Sequence, residues 1–371
     1  MSLRVFSRAT GLLGATTILA FGVGACGSGS RPTPSTPVAP QHGATSIIVT
    51  EQGTQNLMVF PSTADGNAVP STQLIFPEND QPNKGDVTPR LCTIDSSGNI
   101  WVTANLLGGG AGPNYVARYA PNASANTAPE EMITGATLPG GVNQVLQVLA
   151  VAVNTSGQIY VLNDKSVLPQ GLYGQVLIFP AGATNVATPV GVLEGTQTQL
   201  AGPTGIALVG DGTLYVSNAG ADSATFDGSI TVYAPGAQGN AAPVRVISGQ
   251  NTGLVDPVGL ALDSAGYLYV ANGYFVPDQT GNFVFTGEVL VFAPGASGDV
   301  APVRIISGSK TLLSKPAKGV AVDSQGWIYV TDRDILVFAP GTSGDIAPSQ
   351  QIVNPNSEEQ SIEGWYGIAL R

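Results

Sequence analysis

Three sets of residues in this sequence have the types and spacing to do chemistry. Glu51, Asn163, Asn218, Asn272 and Asp332 occupy one place in successive copies of an internal repeat, with Ala104 there in the remaining copy. Carboxylate and amide oxygens converging around an axis form a collar suited to a cation or a hydroxylated ligand. The same residue types at the ends of strands commonly cap the next turn, so two readings of this collar stand open. A second set, Arg90, Leu149, Thr204, Val258, Lys318 and Tyr366, immediately precedes a short β-type run in each copy. Its two fixed positive charges would repel a cation and attract a carboxylate or sulfate, unless each pairs with a neighbouring acid such as Glu51 or Asp332. The third set is aromatic: Tyr173, Phe226, Tyr274, Phe275, Phe283 and Phe285 fall in long, variable links between runs. These residues form a contact surface or fold back over their own units.

Other chemistries lose their central residue. The single histidine, His42, falls in a Pro- and Gly-rich stretch, so His-based metal sites and Ser-His-Asp triads lack their imidazole. No Gly-rich phosphate loop with a lysine stands between a strand and a helix. The chain carries a formal net charge of -11 with only 11% charged residues and no basic tract, which argues against nucleic acid as a partner. Of the two cysteines, Cys92 stands where the siblings carry Leu260, Ile206 and Val320, as a small buried hydrophobe would. No metal ligand set and no cofactor is assigned.

The elements that position these residues follow from the repeat. LCTIDSSGNIWVTA, VAVNTSGQIYVLN, GIALVGDGTLYVSN, GLALDSAGYLYVAN and GVAVDSQGWIYVTD place Ile94, Val153, Leu208, Leu262 and Val322 in equivalent positions, and GIALR adds Leu370. The steps between them are 59, 55, 54, 60 and 48 residues. Four β-type runs per period, here A to D, are the signature of an all-β propeller with four-stranded blades. Runs A and B are nearly continuous in apolar residues, as expected where both faces of a sheet are covered. The DSSG, DSAG and DSQG links are hairpin turns, with Asp95, Asp263 and Asp323 as turn residues rather than metal ligands. Prolines such as Pro294 and Pro302 mark the ends of runs C and D.

The ends of the chain predict how the ring closes. After Leu370 only Arg371 remains, so the copy that begins at Trp365 lacks runs B to D. Residues 46–52, 56–61 and 71–76 read as those missing runs. A six-bladed ring results, its first blade completed by the C-terminal strand so that no open edge is left.

Residues 1–25 have the pattern of an export signal. Arg4 and Arg8 precede a short apolar core and then Val23-Gly24-Ala25-Cys26, which resembles a bacterial lipobox with Cys26 as the lipidated first residue. Residues 26–43 read as a lipidated cysteine and flexible tether, and 44–371 as the propeller. The expected location is outside the cytoplasm, lipid-anchored in the envelope, at the outer membrane if the host is Gram-negative. Contact with a membrane is expected through the anchor alone.

With GIALVGDGTLYVSN, VGLALDSAGYLYVAN and KGVAVDSQGWIYVTD, residues 44–371 resemble the NHL-repeat and gluconolactonase/regucalcin-like group of six-bladed propellers. The tryptophan-aspartate endings and paired glycines of other propeller classes are missing. In the lactonase branch a divalent ion is held at the channel mouth, often by an Asn or Asp just before run A. None of Arg90, Leu149, Thr204, Val258, Lys318 and Tyr366 is such a residue, and the amidating and virginiamycin-type lyases of the group rely on histidines. The resemblance then implies a non-catalytic, envelope-anchored module that binds a protein or polysaccharide through its loop-rich face. The alternative is a metal-dependent, lactonase-like hydrolase at the channel mouth.

Overall fold

A computed structural model describes residues 42–52, 56–76, 87–106, 114–125, 127–138, 140–144, 146–164, 174–220, 227–277, 283–354 and 365–371. Cys26, Tyr173 and Phe226 lie outside them, as do the side chains of Phe275, Phe283 and Phe285. Six four-stranded antiparallel blades form a six-bladed β-propeller. The first blade is composite: Trp365–Leu370 pairs with Ser46–Glu51, which is followed by Asn56–Pro61 and Thr72–Ile75. The innermost strands of the other blades are Val87–Ile94, Val148–Val153, Pro203–Leu208, Asp256–Leu262 and Gly319–Val322.

Among the described residues the apolar side chains form six separate cores, each shared by two neighbouring blades. Ile48, Leu57 and Phe76 of the first blade meet Val102 and Tyr119 of the second. Across the closing seam, Ile47, Phe60 and Trp365 meet Tyr329 and Val337. Because both faces of most blades are covered in this way, runs A and B are continuously apolar.

Near the axis the seams are closer than side-chain packing allows, and this explains the glycines that open run A. A Cβ on Gly205 would lie 2.0 Å from the carbonyl oxygen of Val258 in the next blade. On Gly259, Gly319 and Gly367 the corresponding approaches to Lys318, Tyr366 and Arg90 are 2.7, 2.7 and 2.6 Å. Hydroxyls on run B tie the same seams: Thr50 donates to Arg90 O at 2.5 Å, Ser217 to Val258 O at 2.7 Å and Thr331 to Tyr366 O at 2.7 Å.

Three features depart from the sequence reading. The link between runs B and C of the fifth blade, expected as a loop over 273–287, continues the two strands as Leu268–Pro277 and Phe283–Phe292. Alternating aromatic and β-branched residues there favour pairing over a coil. The C–D connections, expected as plain turns, reach across to the preceding blade. Parallel bridges join Gly239, Gly298 and Gly344 to its outermost strand, and Asn240, Asp299 and Asp345 each accept a backbone N–H at 2.7 Å from the 3₁₀ turn that follows that strand.

The third departure concerns His42 and Gly43, expected in the tether but docked on the last blade. The His42 ring lies 4.5 Å from that of Trp327, and Nδ1 is hydrogen-bonded to the Tyr329 hydroxyl at 2.9 Å. Gly43 N–H donates to Asp323 Oδ2 at 2.8 Å. Burial holds the imidazole below its ordinary range, against the opposing pull of the Asp323 charge. On the other side of the composite blade, Arg371 donates to Pro121 O at 2.7 Å and Gly98 O at 3.0 Å in the second blade.

Gly205→Ala is expected to lower stability by about 1–3 kcal/mol, because the added methyl overlaps a backbone carbonyl that has no free rotamer to retreat into. Gly210→Ala, with nothing within 4 Å of the added carbon, is the matched control. Thermal melts of the two variants check this, and equal melting temperatures would sink the account of the seams.

Candidate functional site: the channel and its mouth

The channel on the ring axis is a cavity of about 420 Å³. Its walls come from the six innermost strands: Leu91–Ile94, Val151–Val153, Ile206–Val209, Gly259–Leu262, Gly319–Val322 and Ile368–Leu370. Apart from Cys92 and Thr93 every lining side chain is aliphatic or glycine, so the other polar groups that reach the channel from these strands are backbone N–H and C=O. Cys92 is 8% exposed, with Sγ 3.9 Å from Ile48 O, and burial pushes its thiol up to about 12. At neutral pH it is an inert thiol.

Above this apolar tube sits the collar, and its residues are buried: Glu51 is 1% exposed, Asp332 4%, and the three asparagines 0%. Their partners explain why. Oδ1 of Asn163 accepts from Gln147 N at 2.6 Å, that of Asn218 from Ala201 N at 3.2 Å and that of Asn272 from Val255 N at 3.1 Å. Oδ2 of Asp332 accepts from Ser314 N at 2.7 Å and Lys315 N at 3.1 Å. Glu51 Oε1 faces Asn354 Nδ2 at 3.5 Å. In each case the partner lies on the link that delivers the chain from the previous blade into the collar residue's own blade. The collar fastens the D–A links, which is the capping reading of these residues.

The set that precedes run A adjoins the channel-lining stretches in sequence without itself lining the cavity, and its charges are engaged. The Arg90 guanidinium lies 5.5 Å from the centre of the Tyr366 ring and donates to its hydroxyl at 3.2 Å. Lys318 pairs with Asp256 at 3.7 Å, a partner on the adjacent innermost strand, and not with Glu51 or Asp332 as the sequence suggested. Asp256 escapes sequence inspection because it opens run A two residues before Val258, where the siblings carry other types. Thr204 donates to Pro257 O at 2.5 Å and Val258 is buried, so these two belong to the seam. Arg90, Lys318 and Tyr366 are all half-buried and retain solvent-facing surface.

Glu288 is a feature that sequence reading missed. It follows the Gly287 of run C in the fifth blade, is 8% exposed and accepts from Asn272 Nδ2 at 2.8 Å. Burial raises its carboxyl to about 7, and Asn272 pulls the other way. Asp332 is raised to about 6, chiefly by burial and in part by the charge of Asp334, against the pull of the backbone amides it binds. The only available signal was Glu288 itself, the one charged residue in a run C otherwise made of glycine, threonine and apolar residues. The Asp turns behave as read: Oδ1 of Asp95, Asp263 and Asp323 each accepts two backbone N–H groups of its own turn.

No protein-family model matches this chain, and no curated protein matches it. Solved structures do. An α-L-arabinanase of Penicillium chrysogenum complexed with arabinobiose aligns at a TM-score of 0.49 with 10% identity, over 72% of this chain and 81% of that one. A Thermus thermophilus protein described as a putative oxidoreductase (glucose dehydrogenase) aligns at 0.37 with 16% identity, over 68% and 79%. YCF48 bound to D1 peptide aligns at 0.34 with 10% identity, over 80% and 73%. These similarities concern the propeller fold and carry nothing about activity.

The two raised carboxyls set a pH dependence. Each binds a proton in the folded state at pH values where the unfolded chain has already released it, so each lowers stability as pH rises from about 4 to its folded value. Glu288→Gln is expected to flatten the melting temperature between about pH 4.5 and 7, and Asp332→Asn between about pH 4 and 6. Melting curves across that range check this, and an unchanged slope in both variants would refute it.

Proposed function

We propose that this protein is an exported, lipid-anchored propeller that binds a protein or polysaccharide of the cell envelope through the face bearing the B–C links. The observation that carries this reading is the use made of the collar. Its oxygens, which a metal-dependent hydrolase would need as ligands, accept hydrogen bonds from the links instead. The groups with the best spacing for chemistry thus work as scaffold, and recognition falls to the variable links that the scaffold holds. The hydrolase alternative would have to work around links already fastened to the collar: Asp332 has two backbone donors on Oδ2 and only its buried Oδ1 left to offer. Beside the channel, Arg90 on Tyr366 adds positive charge next to aromatic surface, which favours ligands with a carboxylate or sulfate, and Lys318 joins it where such a ligand displaces Asp256.

Anchoring rests on the lipobox-like sequence before Cys26. Acyl chains on that cysteine would hold the propeller at the membrane through the Pro- and Ser-rich segment that follows. Cys26→Ser is expected to abolish incorporation of labelled fatty acid and to release a protein with the same melting temperature. Continued labelling, or persistent membrane retention of the variant, would count against the anchor.

The released full chain also tests the binding reading. Immobilised and exposed to envelope extract, it is expected to recover a protein or glycan, and Arg90→Ala with Lys318→Ala is expected to reduce recovery of acidic ligands several-fold. Recovery that does not change, or hydrolysis of a lactone by the purified chain, would overturn the proposal.

A further inference from the structure

The His42–Ala44 segment shows what a blade of this propeller can hold. On the last blade, Asp323 Oδ2 accepts from Gly43 N at 2.8 Å and Ala44 N at 3.4 Å, and from the Tyr329 hydroxyl at 3.2 Å. Gly43 fits because a Cβ there would lie 2.2 Å from Ser324 Oγ. The residues that form this seat run Asp323-Ser324-Gln325-Gly326-Trp327-Ile328-Tyr329. The fifth blade repeats them as Asp263-Ser264-Ala265-Gly266-Tyr267-Leu268-Tyr269.

There the seat is open. A cleft of about 460 Å³ lies between the fifth and sixth blades, lined by Asp263, Tyr267, Tyr269, Arg304, Pro340 and their neighbours. Asp263 spends Oδ1 on its own turn, as Asp323 does, and its Oδ2 meets the Tyr269 hydroxyl at 3.2 Å. Among the described residues, the amide donors that satisfy Asp323 have no counterpart at Asp263. One difference sets the charge of the occupant. Gln350 in the sixth blade stands where the fifth has Arg304, whose Nη2 donates to the Tyr269 hydroxyl at 2.8 Å. The guanidinium lies 5.3 and 5.8 Å from the ring centres of Tyr269 and Tyr267. It is hydrogen-bonded to the Tyr269 hydroxyl as the His42 imidazole is to that of Tyr329, so a residue entering ahead of the glycine meets a cation.

We propose that this cleft binds an extended peptide segment in which an acidic residue precedes glycine. The glycine and the residue after it donate their N–H groups to Asp263 Oδ2, Ser264 excludes a side chain at the glycine, and the carboxylate faces Arg304. The cleft lies beside the A–B turns, on the opposite side of the ring from the B–C links, and so constitutes a second site.

The probe is a fluorescent acetyl-Gln-Glu-Gly-Ala-Thr-amide, which follows residues 41–45 with Glu for His42, titrated into the purified protein and read by anisotropy. Saturable binding is expected, roughly tenfold weaker in the Asp263→Asn protein and for the probe with Ala in place of Gly. The substituted turn remains formed, since Asn154 makes the same turn in the third blade with bonds to Ser156 N and Gln158 N. Arg304→Gln copies the sixth blade and is expected to remove the preference for Glu over Gln in the probe. No saturation up to millimolar probe, or binding that Asp263→Asn leaves unchanged, would overturn the proposal. Displacement of the probe by a neutral hexose oligosaccharide would overturn the peptide assignment.

Discussion

Six innermost strands converge on one axis, and the closeness of that convergence governs the rest of the molecule. Where a carbonyl of one blade stands in the space of a Cβ on its neighbour, only glycine is admitted, and a hydroxyl one strand further out binds the same carbonyl. These contacts are short and directional, and they set the register of each blade against the next. The six apolar cores then fill the widening space between sheets, where shape tolerances are greater. Outside them, the C–D connections reach back to the preceding blade and supply hydrogen bonds that an exposed outer strand would lack. Inner, middle and outer parts of each seam thus rely on backbone crowding, apolar burial and side-chain capping respectively.

This division explains why the most suggestive polar residues are structural. A link arriving from the previous blade brings backbone N–H groups to a place with little access to water, and these require acceptors. Asn163, Asn218, Asn272 and Asp332 supply them. A side chain used in this way is positioned by the fold as firmly as any catalytic group, and for that reason spacing alone does not distinguish the two roles. Glu288 and Asp332 carry the cost of the arrangement as carboxyls held partly protonated by burial.

The repeat made the ring, its blade number and its closure legible in the sequence, because a seam that recurs imprints the same apolar runs in each copy, a glycine opening run A in four of them (Gly205, Gly259, Gly319 and Gly367) and an Asp turn in three (Asp95, Asp263 and Asp323). Contacts that occur once left no such imprint. The docking of His42 on Trp327 and Tyr329 joins residues far apart in sequence and belongs to one blade only. The Lys318–Asp256 pair was hidden for a related reason, since neither residue recurs in the other copies. Arg304 does recur, as Arg245 on Tyr215 in the fourth blade, but run D was read as edge strand and only the folded blades bring these arginines onto the tyrosines.

The composite first blade has a consequence for how the ring is made. Ser46–Glu51 is among the earliest strands of the propeller to be synthesised, yet its inner partner, Trp365–Leu370, is among the last. Until that strand exists, the first blade presents a row of unpaired backbone groups flanked by Ile47, Ile48 and Val49, and the sixth blade lacks the surface that covers Tyr329 and Val337. Blades two to five can assemble by adding each unit to the one before it, whereas the closing seam must wait for nearly the whole chain. The growing ring therefore carries a sticky gap, and the interval before it closes is when pairing with another chain competes with correct folding.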